Sequence, residues 1–165
     1  MRMFLVVASV VYLLAACGSP GGATTAASGE ATVHGTLLGK IFTPVDATSY
    51  TQDALVYFVL SDAPGACGDL VANTVKASSS ALFFYLPDVT VGMTYGGPSV
   101  QFAEFDATCN SPAGESGSGT VTITAASATS VSGTFAFSLN SDSVTGTFVA
   151  PNCAGAPGAG AQVCR

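Results

Sequence analysis

The chain has 165 residues, of which 8% are charged, and it is rich in glycine, alanine, serine and threonine. That is enough for one domain with short extensions, whose surface must be built from hydroxyls and small side chains rather than ions. Four basic residues stand against ten acids, so no basic stripe exists to neutralise phosphates, and nucleic acid and anionic headgroups are poor partners.

Residues 1–16 form a leader. Arg2 supplies one positive charge, Phe4 to Ala16 are apolar, and Ala15 and Ala16 give the small residues a processing peptidase needs. The apolar run is shorter than the roughly 20 residues a spanning helix requires, and polar small residues follow it instead of basic ones. Leu14-Ala15-Ala16-Cys17 resembles the lipobox of bacterial lipoproteins. The resemblance implies cleavage before Cys17, a diacylglycerol on its thiol and an acylated new amino terminus. The alternative is an ordinary signal peptide cut after Ala16 or later, with Cys17 free or paired. Each buried methylene adds about 0.8 kcal/mol, so two or three acyl chains hold a protein permanently. Gly18, rather than the aspartate that signals inner-membrane retention in enterobacterial lipoproteins, implies the outer membrane, with the domain on its periplasmic or surface face. Once Arg2 leaves with the leader, ten acids face the three bases Lys40, Lys76 and Arg165, a balance near minus seven.

Residues 17–30 hold the lipidated cysteine and "GSPGGATTAASGE", which has no large apolar group to offset ordering and reads as a flexible tether. The domain is expected over 31–153, beginning with a strand in "ATVHGTLLG" at 31–39. "DALVYFVLSD" at 53–62 and "SALFFYLPD" at 80–88 are apolar on both faces, so they read as central strands that want cover on both sides. "GDLVANTVKA" between them suits one or two helical turns.

Further strands are expected at 99–107, 119–127, 129–139 and 143–151. In "TSVSGTFAFSL" the residues Val131, Phe135, Phe137 and Leu139 share one parity, giving a buried face and a wet one. "SGTVTIT", "VSGTFAF" and "VTGTFVA" look alike, but their spacing is too uneven for a solenoid or propeller; their glycines mark bulges or close approaches. "LNSDSV" is a turn by its chemistry. The class is all-β, an antiparallel β-sandwich or small barrel with at most one short helix; both architectures stay open. Residues 154–165 make a Gly/Ala/Pro-rich tail.

The stretch from Ser118 to Cys153, together with "CGDL" and "FDATCN", resembles a group of β-rich lipoproteins common in myxobacteria. The resemblance covers about residues 50–153 and implies a fold but no chemistry.

Setting Cys17 aside leaves Cys67, Cys109, Cys153 and Cys164, an even set that can pair fully in an oxidising compartment. Of three possible pairings, Cys67 with Cys109 and Cys153 with Cys164 is favoured. Zinc is the alternative, but no Cys-x-x-Cys pair is present.

His34 is the sole histidine. A serine hydrolase would need it as base, oriented by Asp88 or Asp106, yet there is no Gly-x-Ser-x-Gly elbow. Glu104 and Asp106 share the spacing of one strand face, which suits a glycosidase carboxylate pair or calcium. Calcium is also conceivable at "FDATCNSPAGES" and "NSDSVTG", neither with EF-hand spacing. Tyr50, Tyr57, Tyr85 and Tyr95 are candidates for a sugar-stacking platform. The central strands claim Tyr57 and Tyr85 for the core, leaving Tyr50 and Tyr95 as exposed rings. The reading is a non-enzymatic envelope lipoprotein, structural or binding, with a protein or glycan ligand and no cofactor or metal. The alternative is a small exported hydrolase working through Glu104 and Asp106.

Overall fold

The computed structural model describes residues 27–156 and 163–165. The expected leader, Cys17 and residues 18–26 of the tether lie outside them. Among the described residues eleven strands and one helix follow in chain order: β1 (Glu30–Gly35), β2 (Asp46–Gln52), β3 (Leu55–Ser61), α1 (Ala66–Ala72), β4 (Thr74–Val75), β5 (Ser80–Leu86), β6 (Thr94–Gly96), β7 (Val100–Glu104), β8 (Ala113–Ala126), β9 (Ser130–Leu139), β10 (Asp142–Pro151) and β11 (Val163–Cys164).

The fold is all-β. One antiparallel sheet runs β1-β10-β9-β8-β7-β5-β3-β2, with β6 added along β8. It curls into a half-barrel instead of dividing into two layers. Edge strand β2 swings round to the chain that follows β10: Ser49 bridges Asn152 in parallel, and the Cys153 amide donates to the Ser49 carbonyl over 2.6 Å.

Residue size on the concave face permits this curl. In the β9–β10 hairpin, Gly133 stands opposite Phe148 and Phe135 opposite Gly146. Each phenyl ring lies over the partner glycine, where a methyl group at 133 would come within 2.7 Å of the Phe148 ring and one at 146 within 2.5 Å of the Phe135 ring. The repeated Gly-Thr-Phe phrase is therefore a reciprocal pairing of glycine with aromatic across two strands. Phe58, Phe84, Phe135, Phe137 and Phe148 fill the interior, with Phe58 stacked on Phe84 at 4.8 Å and Phe135 on Phe137 at 4.9 Å.

Segment 36–45 plugs one mouth. The expected first strand stops at Gly35, whose φ of 118° turns the chain, and Leu37 and Phe42 then point inward, Phe42 meeting Phe102 edge-on at 5.2 Å. The helix lies slightly earlier than expected, ending where Asn73 adopts a left-handed cap with φ 54°. The folded part also begins earlier than residue 31. Ser28 Oγ and the Gly29 amide already donate to Asp46 Oδ1, at 3.0 and 3.1 Å.

Candidate functional site

Strands β3 and β5 are neighbours in the sheet, and alternation sends Phe58, Leu60, Leu82 and Phe84 inward, leaving Tyr57, Val59, Phe83 and Tyr85 on the convex side. That convex side is covered unevenly. Helix α1 packs over β2 and β3, so Val59 is 5% exposed. Beyond the helix the apolar outer face stays open, and there the aromatic residues concentrate.

Tyr50, Tyr57 and Tyr85 occupy one register across β2, β3 and β5. The rings of Tyr50 and Tyr57 stack at 5.0 Å and 11°, and Tyr57 meets Tyr85 at 5.5 Å and 43°. Tyr85 is 39% exposed. Because the first two rings turn their faces to each other, they offer edges outward, while Tyr85 keeps a ring surface free. Among the described residues no protein hydrogen bond reaches the three hydroxyls, and none of them is a buried unsatisfied atom. Burial, with the neighbouring Tyr57 second, pushes the Tyr50 phenol above its ordinary value, so it remains a neutral donor.

The row borders a hollow of about 310 Å³ that also takes in Phe83, Ser99 and Gln101. A second hollow of about 480 Å³ shares Phe83 and Gln101 and continues over Phe105, Ser111 and Ser116. Together they form a trough running across the strands from β2 to β8. Its one acidic or basic lining residue is Glu115, which is 8% exposed and accepts the Leu38 amide at 3.3 Å. The expected pair of exposed tyrosines is thus corrected. Tyr57 and Tyr85 belong to the outer face with Tyr50, because a strand with two apolar faces had one left half-covered. Tyr95 lies apart on β6, bonded to Asp88 and accepting the Thr90 amide at 2.9 Å.

The other candidates are dispersed. His34 is exposed on β1 opposite Thr145. Glu104 ends β7 and pairs with Lys40 Nζ at 2.9 Å. Asp106 does not share that strand face as expected, since β7 stops at Glu104; its carboxylate accepts the amides of Thr108 and Asn110 and the Thr108 hydroxyl, at 2.8, 3.0 and 2.7 Å. Those bonds hold the carboxyl below its ordinary value and commit it to its own turn. Among the described residues no group of three or more His, Cys, Asp or Glu side chains is placed to hold a metal ion.

Asp142, in the other loop considered for calcium, latches the plug. It accepts the Thr36 hydroxyl at 2.6 Å and the Gly39 amide at 2.8 Å, and these bonds lower its pKa. A carboxyl depressed in the fold contributes stability above its unfolded pKa and loses it as pH falls through the folded one. Acid therefore weakens the plug below the ordinary carboxylate range. Asp142→Asn is expected to lower the thermal midpoint at neutral pH and to converge on wild type as the pH falls through the carboxylate range, which flattens the acid limb.

All four described cysteines are paired, but not as expected. Cys67 joins Cys153 and Cys109 joins Cys164, each with Cα atoms 5.4 Å apart. The correction follows from β2 and α1 lying beside the end of β10, which brings Cys67 to Cys153. The last residues return as β11 alongside β4, which brings Cys164 to Cys109. Arg165 is paired there with Asp69.

No family model, curated protein or solved structure matches the chain. Fold and site together define a disulfide-stapled β domain, built on one large curled sheet with a two-stranded β4–β11 ladder beside it, that carries an aromatic trough on its convex face. Among the described residues no helix is long and apolar enough to cross a membrane.

Proposed function

We propose that the protein is a non-enzymatic, lipid-anchored component of a bacterial envelope that binds a ligand on the convex face of its sheet. The observation that carries the binding role is the row of Tyr50, Tyr57 and Tyr85 beyond the end of α1, whose hydroxyls make no bond within the described residues. Tyr50 and Tyr57 are half-buried and Tyr85 is exposed, so the row presents ring edges, one ring surface and hydroxyls to a ligand. Anchoring rests on Leu14-Ala15-Ala16-Cys17, and the outer membrane on Gly18 after the cysteine.

A photo-cross-linking side chain in place of Gln101, on intact cells, tests the binding role. A discrete adduct from position 101, absent when the same group replaces His34 across the barrel, is the expected result. No adduct at 101 would overturn it. Protease shaving of those cells tells whether the domain faces the surface or the periplasm.

A further inference from the structure

We infer that the trough accepts a neutral polysaccharide chain lying across the strands from Tyr50 to Ser116; this inference rests on the binding role proposed above. The length fits an extended polymer. Five strands, β2, β3, β5, β7 and β8, contribute in succession, and at the usual strand spacing the trough runs about 20 Å. Both hollows have the volume of ordinary ligand sites, about 300–1,000 Å³, at 310 and 480 Å³.

The lining chemistry selects the class. A sugar ring presents an apolar C–H face and a rim of hydroxyls that both donate and accept. Tyr85 and Phe83 offer ring surface, while the Tyr50 and Tyr57 hydroxyls, Gln101 and Ser99 both donate and accept at the margins. No charged side chain lines the Tyr50 to Gln101 section, so nothing there would pair with a carboxylated or phosphorylated polymer. The mature chain's balance near minus seven would repel one. An acyl chain would leave the amide and hydroxyls unmatched.

The chain has no tryptophan, and of its five tyrosines Tyr12 lies in the expected leader. Three of the remaining four line the trough, so tyrosine fluorescence of the purified domain reports on it directly. Electrophoresis through gels containing hydroxyethylcellulose, galactomannan, dextran or polygalacturonate, paired with fluorescence titration by neutral oligosaccharides, tests the inference. Retardation by at least one neutral polymer and not by polygalacturonate is expected. Tyr85→Ala should weaken binding about five- to tenfold, and Gln101→Glu at least as much; both side chains are exposed, so thermal midpoints should hold.

Absence of retardation by all three neutral polymers overturns the inference, as does retardation that both variants leave unchanged. If wild type ignores every neutral polymer while position 101 still cross-links to a protein, the glycan is wrong and the binding role stands. If neither is seen, both fall.

Discussion

Removing the Cys67–Cys153 bridge, by replacing both cysteines with alanine, is expected to lower the stability of the domain by about 4 kcal/mol. The two cysteines are 86 residues apart, so the reduced unfolded chain regains the freedom of a long loop. The bridge also acts where the native sheet is weakest. The half-barrel closes through only a few bonds, including Thr48 Oγ1 to the Pro151 carbonyl at 3.1 Å and the Ser49–Asn152 bridge, and Cys67 pins α1 to the same point. Urea unfolding followed by circular dichroism should show an earlier midpoint and a thermal midpoint lower by about 10 °C or more. The Cys109–Cys164 pair should behave differently. It secures the two-residue, exposed β11, so its loss frees the tail while the sheet stays folded. Equal global losses from the two double variants would contradict this division.

The second large effect is expected at Asp46. This carboxylate is 3% exposed and accepts four bonds. Ser28 Oγ and the Gly29 amide reach Oδ1, and the amides of Gly65 and Ala66 reach Oδ2, both at 2.9 Å. It serves as the N-terminal cap that α1 lacks locally, since Gly65 supplies no side-chain bond, and its charge suits the positive end of the helix. The same carboxylate seats Gly29, where a methyl group would stand 2.2 Å from the Ala47 carbonyl oxygen and 2.4 Å from that of Val149. Asp46→Ala orphans buried donors from two segments at once, at a cost of about 3–4 kcal/mol. Asp46→Asn should recover only part, since one of its two groups is a donor facing donors. Amide exchange should show residues 28–30 and 65–66 losing protection together. Loss confined to the helix would mean that the carboxylate does not hold the seam.

Under the proposed anchoring at Cys17, a pull from the membrane would enter the described domain at Gly29 and β1. Asp46 and the Cys67–Cys153 bridge brace that point.

The parts of the fold legible from residues were those in which burial leaves a period. Val131, Phe135, Phe137 and Leu139 gave the inner face of β9, and the two-sided apolar runs gave β3 and β5. Strand β2 was not legible: in "DATSYTQ" the buried positions include Asp46, Thr48 and Ser49, which are held by hydrogen bonds rather than by apolar packing. The first half of β8, "GESGSG", was hidden because its small residues look like a loop, although Gly117 and Gly119 sit against the backbone of β9. The cysteine pairing depended on the curl that brings β2 to β10, a long-range fact with no local signature. The tyrosines are recognisable from sequence as candidate binding residues, but which of them face outward is not, because apolar runs on both sides of β3 and β5 imply cover on both faces. The shortness of α1, ended at Asn73, is the detail that leaves Tyr57 and Tyr85 outside.

The central proposal is that this sheet is held at the envelope by lipid on Cys17. The intact mass of the polypeptide purified from its own membranes tests it most directly. The account predicts a chain beginning at Cys17 and carrying a diacylglyceryl group, with the signal lost in Cys17→Ser. A free thiol at Cys17, with the leader retained or removed at another bond, would contradict it.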